Sequence, residues 1–278
     1  MIEFNCTTPA IATWEANTAY TVGTKVYYAP ETGTGEVNRK VYRCITANRD
    51  AAFDDAKWVE DVTPTYHLSL TPFQDMYLNV AVGNGNYQPQ IRAKAGQEYI
   101  FDITGSYQET RIYIAGANHL SGIGNLAPMY PYAFDLRALA HIKVLDIGTN
   151  DSGYVNTKFT ELVLPNYAPL LETLNIKNCH SIASTINLSE ANNIRAVYAE
   201  GTAITGITLP DYTSIQTLHI PQTMSEVRLY GARFLTDFKV FNNAGNIDYG
   251  ALYKLHIYDS DYSTSVDWMN IASDMLVK

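Results

Sequence analysis

Carboxylates and histidines are the residues here whose types could do chemistry. Acidic residues cluster locally at Asp54-Asp55, Glu60-Asp61 and Asp259-Ser260-Asp261. Neighbouring carboxylates can move protons or hold a hard cation, but only where they converge on a pocket. Each of these groups lies at a module end or in a loop-like segment, so solvated turns are the expectation. The six histidines, His67, His119, His141, His180, His219 and His256, are dispersed and form no zinc pattern. His219 and His256 each stand between two apolar residues of a strand-like unit, so both should point outward into solvent. The glycine-bearing stretch Val82 to Asn86, "VGNGN", is followed by no helix, and a hairpin turn accounts for it better than a phosphate cradle. Nucleophile motifs and calcium loops are also missing. The sequence therefore predicts no catalytic residue, no metal and no cofactor, and any function must lie on a surface.

The elements that would build such a surface recur along the chain. One pattern, apolar-x-x-apolar-x-apolar, occurs ten times between Ile142 and Ile257, starting at Ile142, Phe159, Leu171, Ile182, Ile194, Ile204, Ile215, Met224, Leu235 and Leu252. The unit at Ile182 is one residue longer. The last two apolar residues of each unit are two apart, which places them on one face of an extended segment. Every second unit starts at Ile142, Leu171, Ile194, Ile215 and Leu235, giving steps of 29, 23, 21 and 20 residues. The long first step holds the turn-rich insertion Gly148 to Lys158. Coils of this length with two short strands each fall in the range of leucine-rich coils, and "LETLNIKNC", Leu171 to Cys179, matches their signature. The expected fold is therefore mainly β, with a solenoid of stacked coils over residues 142–258.

Residues between the paired apolar positions should then form outward rows. Asp146, Asn175, Tyr198, His219 and Lys239 come from the odd-numbered units; Val163, Asn187, Thr208 and Arg228 come from the even ones. With two strands per coil these rows lie on different faces. Rows of mixed polar and aromatic residues suit the binding of a protein or a glycan.

Composition agrees with an elongated body plus a small extra domain: 278 residues, 46% of them apolar. A net charge of −9 argues against a surface for nucleic acid or anionic lipid. No segment reaches membrane-spanning length, and the N-terminus has neither a basic head nor a long apolar run, so synthesis in a cytoplasm without export is expected. Tyrosines number 21 against 9 phenylalanines, a surplus that suits sheet faces and recognition surfaces. Of three cysteines, Cys179 belongs to the repeat, while Cys6 and Cys44 leave a bridge possible.

Residues 1–62 form the first unit, with "AYTVGTKVYY" and "KVYRCI" as hairpin partners around the loop Ala29 to Glu36. The spacing of Trp14, Tyr20-x-x-Gly23-x-x-Val26-x-Tyr28, Tyr42 and Trp58 resembles the small chitin-binding type carbohydrate-binding modules of families five and twelve. The resemblance implies a glycan contact, for which Tyr27, pointing opposite to Val26 and Tyr28, and Trp58 are the candidate residues. After the return-strand Tyr42, where sugar-binding relatives carry exposed aromatics, this chain has Arg43-Cys44-Ile45-Thr46-Ala47-Asn48. Residues 63–141 read as an antiparallel β cap and lead-in, with strands at "YHLSL", "MYLNVAV", "QIRAKA", "EYIFDIT" and "TRIYIAG" and a helical turn around Asp135 to His141. Residues 259–278 read as a terminal helix with Ser265 as N-cap, or as the point where a longer chain is cut.

The stretches "IRAKAGQEYIFDIT", "IYIAGANHLSGIGNLAPMYP", "LETLNIKNCHSIASTINLSEANNIRAVYAEGTAITGITLP" and "LTDFKVFNN" resemble the leucine-rich repeat region of tail-associated structural proteins in phages of gut bacteria and of related Bacteroidetes surface proteins. That resemblance implies a non-enzymatic virion component, present in multiple copies, whose partners are other virion proteins or a host surface glycan. A bacterial cell-surface adhesin and an accessory part of a glycan-processing enzyme are the alternatives. Neither nucleic acid nor membrane insertion is expected.

Overall fold

The computed structural model describes residues 2–7, 11–28, 40–61, 65–83, 86–87, 90–104, 110–124, 130–148, 155–165, 167–224, 226–249, 252 and 254–258. The loop Ala29 to Glu36, the turn residues Asn84, Gly85, Gly105 and Ser106, the acidic group Asp259 to Asp261 and the terminal segment 259–278 lie outside these. The fold is mainly β and is divided among several sheets. Among the described residues the helical elements are two single 3-10 turns, Asp55–Lys57 and Ala117–His119.

Strand β1 (Ile2–Thr7) does not belong to the aromatic module that follows it. It pairs antiparallel with residues 110–114 on one side and 130–131 on the other. Phe4 is buried, its ring 4.5 Å from Phe134. The module therefore begins after β1, and the boundary at residue 1 is corrected accordingly. Its sheet runs β2 (Ala12–Thr13), β3 (Lys25–Tyr28), β4 (Lys40–Cys44), β5 (Trp58–Glu60). Tyr20, Val26, Cys44 and Trp58 form a small core of their own. Cys44 is a buried free thiol donating to the Thr46 carbonyl, 3.2 Å away, so the possible bridge to Cys6 is not formed.

Seven antiparallel strands follow: β6 (Thr65–Pro72), β7 (Met76–Val82), β8 (Asn86–Tyr87), β9 (Ile91–Ala93), β10 (Tyr99–Thr104), β11 (Thr110–Ala115) and β12 (Leu120–Gly124). They do not form one separate cap. With β13 (Tyr130–Pro131), β1, β11, β7, β8 and β9 make a six-stranded sheet, whereas β10, β6 and β12 continue directly into the strands of the repeating units. The alternating pattern of β10 explains this: Phe101 and Ile103 are buried while Ile100 and Asp102 face out, so its apolar face joins the core beneath the units.

The remaining strands are β14 (Ala133–Asp135), β15 (Val144–Asp146), β16 (Glu161–Val163), β17 (Thr173–Asn175), β18 (Ile186–Asn187), β19 (Ala196–Tyr198), β20 (Ile207–Thr208), β21 (Thr217–Pro221), β22 (Glu226–Tyr230), β23 (Asp237–Phe241) and β24 (Lys254–Tyr258). From β15 on, the odd-numbered strands pair in parallel and in order, completing the eight-stranded sheet β10-β6-β12-β15-β17-β19-β21-β23. Leu145, Leu174, Val197, Leu218 and Phe238 fall opposite one another across this sheet and are buried. Each such side chain contributes about 1.5–3 kcal/mol of burial. A tight turn precedes most of these strands: Leu171, Ile194 and Leu235 donate backbone bonds to buried Ala168, Ala191 and Ala232. The helical turn expected around Asp135 to His141 is reduced to bonds of this type, from Leu139 to Leu136 and from Ile142 to Leu139. After β17 the chain turns at Asn178, at φ 60°, a conformation Asn tolerates better than most side chains. The even-numbered strands make three separate two-stranded ladders, β14-β16, β18-β20 and β22-β24.

Candidate functional site

The pairing register of the long sheet brings the odd row together. Asp146 lies opposite Asn175, Asn175 opposite Tyr198, Tyr198 opposite His219 and His219 opposite Lys239. The line also runs the other way. Gly124 neighbours Asp146, Gly124 pairs with Ser69, and Ser69 with Ile100. One row of outward positions thus crosses all eight strands.

At the β23 end the row is a filled network of charges. His219 Nε2 is 2.9 Å from Asp237 Oδ2, and Lys239 Nζ is 2.9 Å from Asp237 Oδ1. Lys177 Nζ is 3.2 Å and His219 Nδ1 3.7 Å from Glu200 Oε1. The imidazole also meets the ring of Tyr198 edge-on at 5.2 Å. His219 points away from the core, as its position requires, but only 9% of it is exposed, which corrects the expectation of a solvated side chain. The cause is local: Tyr198 and Phe241 crowd it from the neighbouring strands. Burial pushes Glu200 up, but the His219 imidazole and the Lys177 ammonium outweigh this and hold its carboxyl below the usual range. Burial likewise pushes Asp237 up, and Lys239 and His219 bring it below its ordinary value.

Toward β6 the same face is hollow. The two outward positions of β12 are Gly122 and Gly124, so this strand presents bare backbone where its neighbours carry side chains. A methyl group on Gly124 would stand 3.3 Å from Asp146 Cβ and one on Gly122 3.1 Å from the Thr71 side chain. The result is an open trough of about 830 Å³, with Ser69, Thr71 and Glu98 along one wall and Val144, Asp146 and Asn175 along the other. Glu98 accepts from the Ser69 hydroxyl, and Asp146 Oδ1 accepts from Asn175 Nδ2 at 2.8 Å. Burial pushes the Asp146 carboxyl above its ordinary value, against the hydrogen bonds from Asn175 and the Gly148 backbone. Beneath it, burial and the Asp146 charge push the Cys179 thiol up to about 12, which keeps it protonated and unreactive.

The even row is not assembled in this way. Val163 is half-buried in β16, Asn187 and Thr208 are exposed and pair across β18 and β20, and exposed Arg228 lies in β22.

In the aromatic module the two predicted contacts separate. Trp58 is 4% exposed, with its ring 5.2 Å from Tyr20 and 5.4 Å from Phe53, and it is a core residue rather than a ligand contact. Pairing of Trp58 with Cys44 turns the indole onto the Val26 side of the sheet. Tyr27 is half-buried, one position from the core residue Val26 and so on the opposite face of β3. Phe53, not singled out by sequence, stacks on Tyr28 at 3.8 Å and holds Trp14 edge-on at 5.7 Å. The acidic pairs of this module are engaged in surface contacts: Asp54 caps the Ala56 N–H, Glu60 pairs with Lys40 and Asp61 with Lys25.

Sequence reasoning missed Lys177, Glu200, Asp237 and the two glycines. Lys177 and Glu200 each follow the last apolar residue of an odd unit, and Asp237 stands two before Lys239, so the signal was a second period-2 position on either side of the first row. "LSGIG", Leu120 to Gly124, showed the paired glycines directly. Among the described residues no group of three or more His, Cys, Asp or Glu side chains could hold a metal ion. No helix among them is long and apolar enough to cross a membrane. No family model, curated protein or solved structure matches the chain.

Proposed function

We propose that this chain is a non-enzymatic structural and recognition protein, a tail-associated component of a phage virion present in multiple copies. In this reading residues 142–258 form a leucine-rich-repeat-like solenoid with two strands per coil, strands β6, β10 and β12 extend its long sheet, and that sheet is a rigid docking face. The N-terminal module makes an auxiliary contact with a virion protein or a host glycan through the face that bears Tyr27. The observation that carries the reading is the continuous outward row from Ile100 to Lys239. Its members are held in register by eight paired strands, so a partner meets positions fixed by backbone hydrogen bonds rather than by mobile loops.

The test is incorporation into particles. A double variant, Tyr198→Ala with Lys239→Ala, whose melting has been checked, should enter assembled virions at least tenfold less than the unaltered chain. Full incorporation of that variant would sink the docking face, and turnover of a glycan abolished by a single carboxylate substitution would replace the reading with an enzymatic one.

A further inference from the structure

We infer that the trough over Gly122 and Gly124 binds a short neutral saccharide. The inference rests on the reading of the long sheet as a recognition face and names what one end of that face takes.

The shape comes first. Adjacent strands are about 4.8 Å apart, so the backbones of β6 and β15 flanking the glycine strand stand about 10 Å apart. The Thr71 and Asp146 side chains narrow the opening above the glycines to well below that. The trough's volume of about 830 Å³ falls within the range of small-ligand sites, and its floor is the backbone of β12, buried at Gly122 and half-buried at Gly124. A flat six-membered ring can enter such a narrowed opening edge-on; a helix, about 10–12 Å across with its side chains, is too wide for it.

The chemistry of the walls selects among ligands that could enter. Glu98 and Asp146 only accept hydrogen bonds. Neither is paired with a base: each is held by a neutral donor, Ser69 or Asn175, and each retains acceptor capacity. Lys143, on the rim, only donates, and its nearest acid is Glu172 at 4.0 Å. The Thr71 hydroxyl can do both. A ligand satisfying such a set must itself donate and accept at several closely spaced points, which is the property of a polyol. A multiply charged cation would meet the acceptors but be opposed by Lys143, and an anion would face both carboxylates. Phe73 lines the same trough, 42% exposed and stacked on His141 at 4.5 Å, an apolar face against which the C–H side of a sugar ring packs.

The experiment uses the purified full chain on an array of neutral and charged glycans, followed by titration calorimetry with the best binder. Glu98→Gln and Phe73→Ala, both at exposed positions, are run beside it after their melting temperatures are checked. The expected result is saturable binding of a neutral saccharide, weakened at least tenfold by either substitution. Absence of any saccharide binding, or binding unchanged in both variants, would overturn the inference. Preference for an arginine amide over every glycan would overturn it too, in favour of a basic peptide. Each of these failures leaves the docking row intact, because incorporation into particles is read separately through Tyr198 and Lys239.

Discussion

The two ends of the long sheet belong to one continuous ladder yet differ in how their strands run and in what stands on them. β21 and β23 pair in parallel, whereas β12 meets β6 antiparallel with a shift in register. Around β21 and β23 the outward positions carry His219, Asp237 and Lys239, with Glu200 and Lys177 beside them, and every charge leans on an opposite one. Around β12 the equivalent positions are glycine, and the acid on each wall of the trough is held by a neutral partner on its own side. One continuous sheet therefore does not dictate one kind of surface. It carries a closed, charge-paired patch at its parallel end and an open, acceptor-rich one where the antiparallel strands begin.

If that contrast lies in the outward layer alone, the core beneath should be indifferent to it. Leu145→Ala, under the trough, and Leu218→Ala, under the charge network, should each cost about 2–5 kcal/mol, and chemical denaturation should give similar values for the two. A much smaller loss at Leu145 would show that the hollow end is loosely packed throughout. The next largest effect belongs to His219→Ala, which removes the group between two acids and should cost about 1.5–3 kcal/mol in the same assay.

Acid titration separates the ends by sign. Glu200 has a folded value below its unfolded one, so its contribution is present above the ordinary glutamate value of 4.5 and is lost as pH falls through the folded value. Glu200→Gln should flatten the acid limb of a stability curve. Asp146 is raised, so its ionisation is unfavourable to folding above its folded value and the penalty vanishes below the ordinary 3.8. Asp146→Asn should stabilise the protein at neutral pH, measured as a higher melting temperature there and little change in acid. Loss of stability in both variants at pH 7 would erase the contrast. The smallest effect is expected of Gly124→Ala, about 1 kcal/mol or less, since the added methyl asks Asp146 to give by a few tenths of an ångström.

The period-2 spacing of apolar residues made the inward columns and the odd outward row readable in advance, because side-chain direction in a strand follows from position alone. Exposure does not follow from position. His219 was placed correctly on the outer face, yet its burial depends on the sizes of Tyr198 and Phe241 on adjoining strands, which are 21 and 22 residues away from it in sequence. Trp58 shows the converse: a module with so few apolar residues needs its largest ring inside, and Phe53 supplied the stacking that the spacing alone did not reveal. The pairing of β1 with residues 110–114 was out of reach, since a short strand carries little information about a partner a hundred residues on.

That first strand has a mechanical consequence for the aromatic module. The chain leaves the six-stranded sheet after Thr7, builds the module, and returns to the long sheet at Thr65, so the module is an excursion moored at both of its ends. A load applied to it divides between two hydrogen-bonded strands pulled along their lengths, instead of hanging on one hinge. Excising it calls for joining the chain across the gap it leaves; cutting ahead of residue 65 would carry away a strand that Ile114 and Tyr130 both need as their neighbour.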